Sequence, residues 1–275
     1  MIKEIAKSLV RGWVRSTSKE TATVIKGPLR GHKLLTEHAL PNLSMLFGSY
    51  EVSFASAFSQ RIKHSHVTYD VGANTGYFSL LAASQSPTNG VVVAFEPVPE
   101  ILHDLQRMVA ANDFENRVKT SQIALSDSVG TVKLFTPASA TSGVIETAIR
   151  HANIKDAEAI EVKTSTLDSY IYVDGNPPPD ILKIDVEGAE ASVLTGAREL
   201  LKNGRPTILL EVHGEQPAAD VWDIVVPLNY TIALIETQGE RRIRDRNEWM
   251  NSFNGSKWTI QHCVLTPIVS TAAAA

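Results

Sequence analysis

From residue 66 onward the chain alternates continuous apolar runs with stretches of helical period. "HVTYDV", "GVVVAFE", "DILKIDV", "PTILLEV" and "YTIALIE" are apolar and β-branched with few polar breaks. Between them, "GYFSLLAASQS", "PEILHDLQRMVAAN" and "GAEASVLTGARELLKNG" repeat apolar residues every three or four positions. In the last of these, Val193, Leu194, Ala197, Leu200 and Leu201 form one stripe. Unbroken apolar runs suit strands covered on both faces, and strand–helix repetition makes neighbouring strands parallel. The pattern predicts an α/β fold, a doubly wound and mainly parallel sheet. "RVKTSQIAL" and "TVKLFTP" read as two more strands around the turn "SDSVG", and "WTIQHCVLTP" as the closing one.

The first part of the chain has a different texture. Residues 2–15 place Ile2, Ile5, Leu9 and Trp13 on one helical face, with Lys3, Lys7, Arg11 and Arg15 among the polar positions. Such a basic amphipathic helix either docks on the body of the protein or lies on an anionic membrane surface. Within residues 21–36, "KGPLRG" is a turn between two short β-like runs. The expected division is an N-terminal extension of helix and hairpin (1–60), a main domain (61–268) and a tail (269–275). The Ala-, Ser- and Thr-rich segment 138–158 reads as a lid or as a variable loop.

Composition narrows the class. At 275 residues the chain can bury one large core. A net charge of -4 provides no overall attraction for nucleic acid, so no nucleic-acid partner is expected. The lone Cys263 excludes an intrachain disulfide framework and suits a reducing compartment. With no apolar run long enough for a membrane span and no secretory leader, the sequence reads as a soluble, cytoplasmic protein.

The candidate chemistry begins at "YDVGANTGYFSLLA", a strand that breaks at Gly72 and Gly76 and resumes as a helix. A dinucleotide loop needs G-x-G-x-x-G, and here Asn74 and Tyr77 stand where its second and third glycines would be. The loop is therefore a poor diphosphate cradle, and it lacks the P-loop pattern. A helix N-terminus after Asp70 suits a small zwitterion, and Glu96, ending the second strand, suits a ribose diol. An amino acid joined to adenosine without phosphate is S-adenosylmethionine. A nicotinamide-dependent oxidoreductase and a non-catalytic S-adenosylmethionine-binding protein are the alternatives.

"DVGANTGYFSLLA", "VVAFEPVPE", "LKIDVEGAEASVLTGAREL" and "RPTILLEVH" resemble, in order, the FkbM family of S-adenosylmethionine-dependent methyltransferases. The resemblance runs over roughly residues 67–236, with "KGPLRG" and "GSYE" similar upstream. It implies the Rossmann-like class I methyltransferase fold, a seven-stranded sheet with an antiparallel last strand. It also implies methyl transfer to a hydroxyl of a small molecule or saccharide. The expected cofactor contacts are Asp70, Gly72, Ala73, Asn74, Gly76 and Tyr77 in the first turn, Glu96 and Pro97 after the second strand, Asp185, and Glu51 upstream.

A hydroxyl is a poor nucleophile, so a base or a metal must help remove its proton. His213, just past a buried strand, is the expected general base, with Asp185, Glu187 and Glu211 (and Glu190 nearby) as other acceptors. A second expectation, less favoured, has Asp185, Glu211 and His213 hold a divalent cation. "NPPP" at 176–179 reads as a linker, and His64 and His66 would face opposite ways in an extended segment. His103 reads as a surface residue and Cys263 as core.

Overall fold

The computed structural model describes residues 20–137, 144–145, 157–253 and 259–268. The basic helix expected at 2–15, the tail at 269–275 and most of the 138–158 segment lie outside them.

The chain opens with a hairpin, β1 (Thr21–Thr23) and β2 (Lys33–Leu35), and three helices, α1 (Thr36–Ala39), α2 (Leu43–Phe47) and α3 (Val52–Ile62). The alternating part follows: β3 (Val67–Val71), α4 (Tyr77–Gln85), β4 (Val91–Phe95), α5 (Pro99–Ala111) and β5 (Val118–Ser121). Four short or hairpin strands come next, β6 (Ala124–Leu125), β7 (Gly130–Pro137), β8 (Val144–Ile145) and β9 (Ala157–Ser165). The chain then returns through β10 (Ile181–Ile184), α6 (Glu190–Thr195), β11 (Thr207–His213), α7 (Glu215–Val225), β12 (Tyr230–Glu236), β13 (Gly239–Arg242), α8 (Arg246–Asn251) and β14 (Ile260–Pro267).

The main sheet has eight strands in the order β13-β12-β14-β11-β10-β3-β4-β5. The pairs β11–β10, β10–β3, β3–β4 and β4–β5 are parallel, and β14 runs antiparallel between β11 and β12. That is the expected α/β sheet of seven strands with one antiparallel member. The eighth, β13, is a solvent-exposed edge strand formed by the turn back from β12. The order reverses between β3 and β10, which opens a crevice at their carboxyl ends.

Each strand feeds two cores, because successive side chains point to opposite faces. Val92 and Ala94 of β4 join the side covered by α3, α4 and α5, with Phe54, Phe58, Leu80, Leu105 and Met108. Val93 and Phe95 join the side covered by α6 and α7, with Val193, Leu194, Val221 and Val225. Leu29, Leu34 and Leu46 belong to the first cluster, so the hairpin and its helices pack on the same face as α4. The stripe from Val193 to Leu201 is wholly buried, as its spacing predicts.

Two runs divide where the sequence reads as continuous. "RVKTSQIAL" gives β5 to the main sheet and β6 to a separate four-stranded sheet ordered β6-β9-β7-β8. "GAEASVLTGARELLKNG" gives the short α6 and then a wider helical turn at Leu200–Gly204.

Candidate functional site

The site lies where β3, β10, β11 and β14 end together. Leu209 and Val264 face the α3/α4 side, so the two-residue period puts Glu211, His213 and His262 on that face. Strand register then aligns the polar residues across the sheet: Lys183 opposite Asp70, and Glu211 opposite His262.

Lys183 and Asp70 form the floor. Both are almost fully buried, with Lys183 Nζ 3.0 Å from Asp70 Oδ1. Lys183 also donates to the Gly72 carbonyl at 2.9 Å, and Ser79 Oγ donates to Asp70 Oδ2 at 2.6 Å. Burial pulls the Lys183 pKa down, but the Asp70 and Asp185 carboxylates outweigh it and hold the ammonium charged. Asp70, expected to touch the cofactor, holds Lys183 and Ser79 beneath the glycine turn.

Gly72 answers the question its position raises. A Cβ there would lie 1.8 Å from the Asp185 carbonyl oxygen, so the end of β10 passes directly over the loop. The φ of +72° adds a second reason for glycine. The chain itself makes this close approach. At Gly76, with φ of +93°, a Cβ would meet the Leu105 side chain at 3.2 Å. Both glycines therefore serve packing as well as turning.

Two cavities flank this turn. One is lined by Gly72, Asn74, Glu96, Pro97, Asp185 and Glu187, and on its far wall by Ile123 to Ser126 with Val132, Leu134 and Thr164. The other is bounded by Tyr50, Gly72, Ala73, Asn74, Thr75, Tyr77, Lys183 and Asp185, and by Glu37, His38, Pro41, Asn42 and Met45 of the N-terminal region. Gly72, Asn74 and Asp185 belong to both. Tyr50 packs edge-on against Tyr77 at 4.9 Å between centroids.

Glu96 is buried, accepting the Asn74 and Val98 backbone N–H groups at 3.0 Å each. Each carboxylate oxygen retains a further lone pair for a ligand hydroxyl. Burial raises its pKa to about 7 against the pull of those two hydrogen bonds.

The acidic edge is organised around His213. Its Nδ1 lies 2.7 Å from Glu190 Oε1, and its Nε2 lies 3.2 Å from Glu211 Oε1 and 3.5 Å from Glu187 Oε2. Burial alone would lower the imidazole pKa; the hydrogen bonds with Glu190 and Glu211 push it to about 11. The carboxylates on both ring nitrogens thus favour the charged form of His213, which works against its expected role as general base. Burial pushes the Asp185 carboxyl up, with Lys183 opposing. Glu211 goes the other way: hydrogen bonds from His213 and His262 overcome burial and hold it low. Glu51 caps α3 in a left-handed conformation and lies with Glu211 and His262 rather than in either cavity.

Three participants escape the sequence reading. Lys183 had a signal, a lysine inside an otherwise apolar buried strand. Ser79 is visible only once α4 is set against the end of β3, where its hydroxyl meets Asp70. His262 required the β11–β14 register, which puts its Nε2 2.7 Å from Glu211 Oε2.

Residues 70–235 match the sequence model of the Methyltransferase FkbM domain. The chain belongs to this family. It is similar to methyltransferase sdnD of Sordaria araneosa, 31% identical over 209 residues, covering 66% of this chain and 75% of sdnD. The 31-O-demethyl-FK506 methyltransferase FkbM of Streptomyces tacrolimicus is 30% identical over 206 residues, 65% of this chain and 74% of that one. The hexuronic acid methyltransferase AglP of Haloferax volcanii is 25% identical over 163 residues, 59% of this chain and 62% of its own. Among solved structures, the methyltransferase FkbM of Methylobacillus flagellatus aligns with 74% of this chain and 44% of its own at 16% identity, TM-score 0.46. No helix among the described residues is long and apolar enough to cross a membrane.

Proposed function

We propose that the protein transfers a methyl group from S-adenosylmethionine to a hydroxyl of a small molecule or saccharide. The observation that carries this reading is the shared wall of the two cavities at Asp185, with the Glu211–His213 cluster beside it. The first cavity fits the cofactor's nucleoside, since it pairs a buried carboxylate at Glu96 with apolar walls at Val132 and Leu134. The backbone at Asn74 and Thr75 would meet its amino-acid end. When bound, the cofactor supplies an activated methyl group that needs only an aligned nucleophile.

The chain's own contribution is to align and to deprotonate. Asp185, Glu187 and Glu211 stand at the edge where an acceptor hydroxyl would approach, and one of them takes its proton. His213, held between Glu190 and Glu211, keeps the carboxylates in place while they do so. The named relatives act on the 31-O-demethyl form of FK506 and on a hexuronic acid, and both descriptions support a hydroxylated acceptor.

The test combines titration calorimetry with S-adenosylmethionine and NAD and a transfer assay. Methyl-labelled S-adenosylmethionine is incubated with a panel of hydroxylated small molecules and sugar acids, and products are read by mass spectrometry. Cofactor binding with label on an acceptor oxygen is expected. Binding of NAD without S-adenosylmethionine would return the oxidoreductase reading, and cofactor binding without transfer to any acceptor the non-catalytic one.

A further inference from the structure

The carboxylates at the ends of β10 and β11 outnumber the cations facing them. Among the described residues, the ion pairs of Asp185, Glu187, Glu190 and Glu211 run to Lys183, His213 and His262. Lys183 is committed elsewhere, 3.0 Å from Asp70 and 3.7 Å from Asp185. Glu190 has no exposed surface, and its Oε2 is buried without a hydrogen-bond partner. A buried carboxylate so placed is costly unless opposite charge stands close by.

The orientation of His213 indicates where that charge belongs. With Glu190 Oε1 at 2.7 Å, Nδ1 donates to the carboxylate and Nε2 is turned toward Glu211, so that a cation bound at Nε2 takes the place of the proton this nitrogen otherwise holds toward Glu211. Carboxylate, imidazole and cation in line is the usual way a protein orients a metal-binding histidine. One ligand atom each from Asp185, Glu211 and His213 lies within 4.8 Å of the others. A slight contraction brings all three to the bond lengths of a small divalent ion, about 2.0–2.3 Å.

We propose that Asp185, Glu211 and His213 bind a divalent cation of the Mg²⁺ or Mn²⁺ class, with Glu190 fixing the imidazole, and that this ion receives the acceptor's hydroxyl oxygen. The oxygen-rich donor set favours these ions over softer ones. The ion's role in transfer rests on the proposed function; its binding does not. In that role the bound hydroxyl loses its proton to Glu187, the remaining carboxylate at the edge. The oxygen–carbon bond then forms as the sulfur–carbon bond breaks, and sulfur leaves with the electron pair as a neutral thioether.

Mn²⁺ titration followed by electron paramagnetic resonance tests the site on the full chain without cofactor. The expected result is one ion bound with a dissociation constant of roughly 10⁻⁶–10⁻³ M. Asp185→Asn and His213→Gln should each weaken binding at least tenfold, by the loss of one ligand of three. His38→Gln is the control, since Glu37, His38 and Asp104 form a separate candidate cluster. Circular dichroism shows whether each variant is folded; if His213→Gln is not, Asp185→Asn carries the comparison. Absence of Mn²⁺ binding at millimolar ion, or binding lost in His38→Gln and kept in Asp185→Asn, overturns the site. Transfer that continues undiminished in chelator overturns the ion's role. An ion bound at this site with no transfer to any hydroxyl instead removes the proposed function and leaves the cation site standing.

Discussion

Lys183 Nζ stands 3.0 Å from Asp70 Oδ1 in a place where neither side chain reaches solvent. The pair joins β10 to β3 across the topological switch, and Lys183 extends it to the Gly72 carbonyl. Removing one member leaves the other charged and buried. Lys183→Met is expected to cost about 3–5 kcal/mol of unfolding free energy. Asp70→Asn with Lys183→Met should cost less than Lys183→Met alone, since no uncompensated charge remains. Urea denaturation of the two variants beside the wild type makes the comparison, and a Lys183→Met loss under about 1 kcal/mol would remove the pair from the supports of the loop.

Glu96 makes a prediction about pH. Its native pKa, about 7, lies above the 4.5 of the free side chain, so the folded protein holds the extra proton between those values. The stability this group provides is therefore present below pH 4.5 and lost as pH rises through about 7. Wild type should lose up to about 3 kcal/mol relative to Glu96→Gln between pH 5 and pH 8. Cofactor binding should run the opposite way, because ribose hydroxyls donate to the carboxylate: S-adenosylmethionine affinity should fall as pH drops below about 7 in the wild type. In Glu96→Gln it should be weak and flat. A wild-type affinity independent of pH between 5 and 8 would move the ribose partner elsewhere.

The two loop glycines should differ in kind. Gly72→Ala drives a methyl group into the Asp185 carbonyl at 1.8 Å, main chain that cannot swing aside. Strain and overpacking together should cost about 2–6 kcal/mol and weaken cofactor binding at the same time. Gly76→Ala meets the branched end of Leu105 at 3.2 Å, which a side-chain shift relieves, leaving the strain of φ +93°. That should cost about 1–3 kcal/mol. Thermal unfolding and calorimetry on both variants separate them; equal losses would show that conformation alone selects glycine at Gly72.

The sheet was legible because its signal is redundant: a strand such as "VVVAFE" needs apolar residues on both faces, and the sequence carries them on both. The glycine turn was legible for a related reason, as Gly72 and Gly76 interrupt two apolar runs where the chain changes direction. What could not be read depends on registers between distant strands. His262 meets Glu211 only because β14 runs antiparallel beside β11. Whether a histidine serves as base or as bound cation depends on neighbours 23 residues away at Glu190, and no local pattern announces them. β6 was hidden for the opposite reason: "RVKTSQIAL" has the propensity of one strand, but its two halves pair with different sheets.

The contact between Gly72 and the Asp185 carbonyl makes the two cavities parts of one mechanical unit. A molecule seated against the glycine turn and another seated against the carboxylate edge are spaced by main chain, with no flexible side chain between them to absorb error. Rate in such an arrangement depends steeply on separation, and a misplacement of one ångström can cost about a hundredfold. Selection for new acceptors would therefore act on the outer wall, at His38, Pro41, Asn42 and Met45, while the distance across Gly72 is inherited unchanged.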